Sequence, residues 1–126
     1  MRLIALCLSV FLLAPAPAKA QVLLESYVAL LSATDHFNSN GVRLTQPWQI
    51  IRQDRANFHR FGIRDAADEW DSFFSSIQNR AIAEQMLLNG RIPRDVARAI
   101  VNGEVIVVVD IYGHGNRGTE LHVSVF

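Results

Sequence analysis

Residues 104–126 read Glu-Val-Ile-Val-Val-Val-Asp-Ile-Tyr-Gly-His-Gly-Asn-Arg-Gly-Thr-Glu-Leu-His-Val-Ser-Val-Phe, and this stretch decides the fold class. Val105 to Ile111 is a β-branched run interrupted only by Asp110, which reads as a strand apolar on both faces. Gly113 to Gly118 is turn chemistry. Thr119 to Phe126 then alternates, with Leu121, Val123 and Val125 on one side and Glu120, His122 and Ser124 on the other. The pattern is a hairpin whose first strand sits centrally and whose second is one-sided. Setting Tyr112 opposite Thr119 places Val108 against Val123 and Ile106 against Val125, and a slip of one residue would turn that face outward.

A lone hairpin is marginal in water, so a third strand is needed. Val22 to Ala33 also fits a helical stripe through Leu24, Tyr27, Leu31 and Thr34, but the sheet's requirement favours strand. Between these ends the sequence is helical. Thr45 reads as an N-cap, Pro47 stands in the first turn and Gly62 closes a helix over roughly residues 46–61. Asp65 is expected to cap a second helix carrying Trp70, Phe73, Phe74, Ile77, Ala81 and Leu88 on one stripe. Pro93 to Val101 forms a short helix closed by Asn102-Gly103. The predicted fold class is α+β: a small antiparallel sheet, built from the C-terminal hairpin and the N-terminal strand, with three to four helices packed on one face.

Working outward to the N-terminus, Met1-Arg2 opens a run from Leu3 to Leu13 that is apolar apart from Ser9, and Ala18-Lys19-Ala20 follows two prolines. A charged start, a short apolar stretch and a small-x-small site predict a secretory signal over residues 1–20 and a single small mature domain over 21–126. The run is too short for a stable membrane span. Leu6 before Cys7 argues against a lipoprotein anchor. Export points to the periplasm or the medium, and arginine without lysine in the mature chain fits a bacterial source.

The 12 basic and 12 acidic residues balance over the whole chain. Arg2 and Lys19 leave with the signal, so the mature domain is slightly acidic. It has no cysteine and no lysine, which excludes disulfide scaffolds, thiolate nucleophiles, Cys-type zinc sites, lysine Schiff bases and P-loops. No cofactor or metal is expected. Asp65, Asp68, Glu69 and Asp71 suit a helix's first turns better than a calcium loop.

The densest chemistry lies in residues 52–61. Asp54 falls within the apolar stripe of Pro47, Ile50, Ile51, Phe58 and Phe61, where a carboxylate must be paired, hydrogen-bonded or protonated. A structural Asp held by a core-reaching Arg outweighs a functional acid of raised pKa. His59, near the helix end, and His36, beside Asp35, complete the candidate catalytic set of Asp54, His59 and His36. Arg52, Arg55 and Arg60, with His114 and Arg117 of the glycine-rich turn, are the candidate ligand-binding residues. Export and an acidic mature charge weigh against nucleic acid.

These residues predict an exported binding or interaction protein. It would contact an envelope protein, a second copy of itself, or an anionic ligand such as a glycan or lipid, through the Arg-rich helix and the hairpin edge. The alternative is a small acid–base hydrolase or lyase using Asp54 with His59 and His36.

Overall fold

The computed structural model describes residues 13–16 and 20–126, so most of the predicted signal lies outside the described residues. The fold is α+β. Strands β1 (Val22–Leu31), β2 (Val105–His114) and β3 (Arg117–Val125) form one antiparallel sheet in the order β1-β2-β3. Helices α1 (Pro47–Ala56), α2 (Ile77–Ala81), α3 (Ala83–Asn89) and α4 (Arg94–Asn102) connect β1 to β2 and cover one sheet face. No helix among the described residues is long and apolar enough to cross a membrane.

The hairpin forms as expected, but its register is corrected by one residue. Val109 faces Val123 and Val107 faces Val125, while Tyr112 pairs with Glu120 rather than Thr119. The expected pairing holds only beside the turn, where His114 faces Arg117 and Gly113 faces Gly118. An irregularity beyond Gly113 inserts Thr119 and shifts the rest of the ladder, as a bulge does. The turn itself is only Gly115-Asn116, with Gly115 at φ 56°, the positive value a two-residue hairpin turn demands of its first central residue.

Tyr27, Ala29 and Leu31 of β1, Val107, Val109 and Ile111 of β2, and Leu121 and Val123 of β3 form the buried sheet face. Against it pack Ile50 and Ile51 of α1, Met86 of α3, Ile100 of α4, and Phe74. The opposite face carries Val28, Leu30, Ile106, Val108 and Tyr112, all half-buried and outside the core cluster.

The helix expected to start at Asp65 does not form there. Residues 62–72 run as irregular chain along the outer edge of β1. Glu69 Oε1 accepts from Val28 N (2.7 Å) and Asp68 Oδ1 from Leu30 N (2.9 Å), while Glu69 N donates to Val28 O (2.8 Å). The Glu25 carboxylate in turn accepts from Ser72 N, Ser72 Oγ and Phe73 N. These acids act as acceptors for an edge strand rather than as partners of a helix dipole, and they blunt that edge. After a 3-10 turn at Phe73–Ser75, α-helix starts beyond Ser76, whose Oγ accepts from Asn79 N. The expected stripe is broken accordingly, with Trp70, Ile77 and Leu88 exposed.

The free edge of β3 is also interrupted. Arg91 N donates to Leu121 O (2.9 Å) and Val123 N to Arg91 O (2.8 Å). This one-residue clamp needs glycine before it, because a Cβ on Gly90 would lie 1.9 Å from Leu121 O.

Candidate functional site

Helix α1 begins at Pro47, with Gln46 rather than Thr45 as its cap. It places Ile50, Ile51, Asp54 and Arg55 inward, then widens into a π turn over Asn57–Phe61 that ends on Gly62 at φ 67°. The wider turn rotates less per residue, so Phe58 stays buried while Phe61 leaves the predicted stripe and is 46% exposed.

Arg55 is fully buried and is the hub of a polar cluster under the helices. Its guanidinium stacks between the Tyr27 ring (4.2 Å) and the Phe58 ring (4.6 Å). Nε donates to Asp54 Oδ2 (2.6 Å), and Nη1 donates to Asp71 Oδ1 (2.8 Å) and Glu69 O (3.0 Å). Asp71 Oδ1 also meets His59 Nε2 at 2.8 Å, and Asp71 Oδ2 accepts from Phe74 N at 2.6 Å. Tyr27 Oη and Arg55 Nη2 are buried without a hydrogen-bond partner. Burial also pushes the Tyr27 phenol well above its usual range.

One guanidinium here serves two buried carboxylates, and burying a second uncompensated charge is costly. Burial pushes the Asp54 carboxyl up to about 8, against the opposing pull of the Arg55 charge and hydrogen bond. Burial works against the Arg55 cation, but the neighbouring Tyr27 and Asp54 and the Asp71 hydrogen bond outweigh it and hold that pKa above its ordinary value. Burial thus favours the protonated form of Asp54 beside Arg55.

His36 is set apart from this cluster. Its Nδ1 meets Ser32 O and its Nε2 meets Ile100 O, each at 2.7 Å, so the ring straps the end of β1 to α4. Neighbouring Asp35 accepts from Ser32 N, Ser32 Oγ and Asn57 Nδ2, and burial raises its pKa. Asp54 and His59 reach the same hub on different arms, Asp54 through Arg55 and His59 through Asp71. The three candidate catalytic residues do not converge. Asp71, expected in a helix's first turns with Asp65, Asp68 and Glu69, instead links the cluster by pairing with Arg55, 16 residues away.

The basic segment 42–64 divides into spent and free arginines. Arg43 donates to Leu44 O and Val101 O, Arg64 donates to Phe58 O and stacks on its ring, and Arg55 is sealed in the core. Arg52 and Arg60 instead line a surface cleft of about 330 Å³ with Trp48, Gln49, Gln53 and Phe61. A second cleft of about 300 Å³ shares Asn38, Ser39, Gln53 and Phe61 with it and extends to Asn57 and Ile63. His114 and Arg117 flank the hairpin turn and line neither cleft. No group of His, Cys, Asp and Glu among the described residues has the geometry to hold a metal ion.

No protein family matches this chain, and neither a curated protein nor a solved structure matches it.

Proposed function

We propose that this chain is an exported binding module rather than an enzyme, and that it docks an envelope protein on the uncovered face of its sheet. The observation that carries this reading is the composition of that face. Leu30 and Ile106 pair across β1 and β2, and Val28 and Val108 pair in the next row, outside the core cluster and with no helix among the described residues packed on them. The neighbouring row is polar: Ser26 faces Asp110, which faces His122, and Ser26 Oγ donates to Asp110 Oδ1 (2.6 Å). Beyond it, Tyr112 lies against the His122 ring, whose Nε2 meets Glu120 Oε2 at 3.0 Å. An apolar half beside an acidic half suits a partner that presents aliphatic side chains flanked by a cation.

Size favours a different protein over a second copy. Three strands of nine or ten residues span about 14 by 30 Å, near 400 Å², roughly half of what each side of a standard interface covers. A larger partner can also wrap the strand ends, where Leu23, Val125 and Phe126 are exposed. Strand addition is disfavoured because acidic side chains occupy the β1 edge and Arg91 interrupts that of β3. A catalytic reading would need a reachable acid, whereas Asp54 and Arg55 are 2% and 0% exposed.

The test is site-specific photo-crosslinking of the exported protein in its native host. A crosslinker at Val108 or Ile106 should give a discrete adduct, absent at Arg98 on α4 and lost on Val28→Arg. No adduct from the sheet positions, or equal adducts at Arg98, overturns the assignment.

A further inference from the structure

We propose that the cleft along the outer side of α1 binds a phosphate-ester anion, with Arg52 and Arg60 on the phosphate and Trp48 and Phe61 against its organic carrier. This site lies on the helical side of the sheet and is independent of the docking face. Neither arginine makes an ion pair among the described residues, and no Asp or Glu lines either of the two clefts.

The neutral side chains show what is missing. Gln49 Oε1 accepts from Thr45 N (3.1 Å) and Gln46 N (3.2 Å), and Asn38 Oδ1 accepts from Asn40 N (3.0 Å) and Val42 N (2.9 Å). Backbone N–H groups only donate, so both amide orientations are fixed. The oxygens are spent internally, and each side chain keeps its NH₂ group. Gln53 is the exception, since its Nε2 donates to Asn57 Oδ1 (2.9 Å) and its own oxygen stays free. Two guanidiniums and two amide side chains with free NH₂ groups therefore line one concavity with a single spare amide acceptor. A ligand that satisfies them must bring acceptors and negative charge, and a phosphate ester does both.

The π turn brings the two cations together. Over eight residues a regular α-helix would leave Arg60 about 80° round the axis from Arg52. The slower rotation over Asn57–Phe61 returns Arg60 toward the face of Arg52, and both line the same cleft. Arg60 also sits over the Phe61 ring at 5.0 Å, which restricts its freedom before any ligand arrives. Two unpaired guanidiniums in one concavity repel each other, and an anion relieves that repulsion. The cleft volume suits a small ligand.

The experiment follows Trp48 fluorescence in a Trp70→Phe background while the mature protein is titrated with inorganic phosphate, glycerol 3-phosphate and glucose 6-phosphate. Uncharged glycerol and glucose serve as controls. Saturable binding of a phosphate ester, weakened by salt and at least tenfold by either Arg52→Gln or Arg60→Gln, is expected. Arg98→Gln should leave binding unchanged, and circular dichroism should show every variant folded. Preference between the two esters separates a lipid-headgroup source from a sugar phosphate. No saturation up to 10 mM, or equal loss in Arg98→Gln, overturns the proposal.

Discussion

Replacing Asp54 with Asn changes one proton inside a sealed cluster and leaves its shape nearly intact. The folded carboxyl titrates at about 8, whereas an unfolded Asp titrates near 3.9. Between those values the folded state holds a proton that the unfolded state has released. Stability from this group is therefore full below about pH 4 and is lost as pH rises through the folded pKa, at about 1.4 kcal/mol per unit. Asn carries no such proton, yet its oxygen still accepts from Arg55 Nε. From pH 5 to 7 the variant should gain about 3 kcal/mol relative to the parent. Urea unfolding followed by circular dichroism at pH 5, 6, 7 and 8 measures this directly. The rise in the Asp35 pKa acts on both proteins and largely cancels in the difference. Parallel stability curves, or a parent that gains on the variant with rising pH, would show Asp54 ionised throughout and refute the one-cation, two-carboxylate account.

Removing the cation is the complementary change. Arg55→Leu should cost about 3–5 kcal/mol near neutral pH, because it strands Asp71 in the core, and denaturant midpoints measure that loss. Arg55→Lys should recover only part of it, since an ammonium cannot stack between Tyr27 and Phe58 while meeting both carboxylates. His36→Ala removes the strap between Ser32 O and Ile100 O and should cost about 2 kcal/mol, read the same way. Glu69→Ala should leave Val28 N unpaired, so its amide exchange should accelerate well beyond that of Val109 in the central strand, by NMR-detected hydrogen exchange. Gly90→Ala should destabilise by about 1–3 kcal/mol, because the added methyl forces the Arg91 clamp off β3.

The parts legible in the sequence are those fixed by near neighbours. The β-branched run of β2, the alternation of β3 and the inward placement of Asp54 each follow from spacing along one element. What escaped depends on distant partners. The register moved by one because Thr119 is left as a bulge, and nothing in its own chemistry marks it. The acids at 65–71 look like a helix start, yet their partners are the amides of Val28 and Leu30, some forty residues away. Asp71 belongs to the same acidic run, yet its carboxylate gathers Arg55, His59 and the amide of Phe74 instead of facing a helix dipole. The π turn also has no signature in residues 57–61 beyond the glycine that ends it.

The distribution of charge, more than its sum, determines what this slightly acidic domain offers to a partner. Nine of its 12 acidic residues accept hydrogen bonds within the chain: Glu25, Asp68 and Glu69 at the β1 edge, Asp54 and Asp71 in the core, and Asp35, Glu104, Asp110 and Glu120 elsewhere. Only Arg43, Arg55, Arg64 and Arg80 of its ten arginines donate side-chain hydrogen bonds among the described residues. Folding thus commits most carboxylates as hydrogen-bond acceptors, six of them for backbone N–H groups, and leaves most guanidiniums outward. An acidic total charge does not prevent local positive potential where a concave wall gathers two of them, because screening confines each charge to about 10 Å of its surroundings at moderate salt. The same accounting separates the two proposed surfaces: Asp110 and Glu120 remain beside the apolar rows of the sheet, whereas no Asp or Glu lines the α1 cleft.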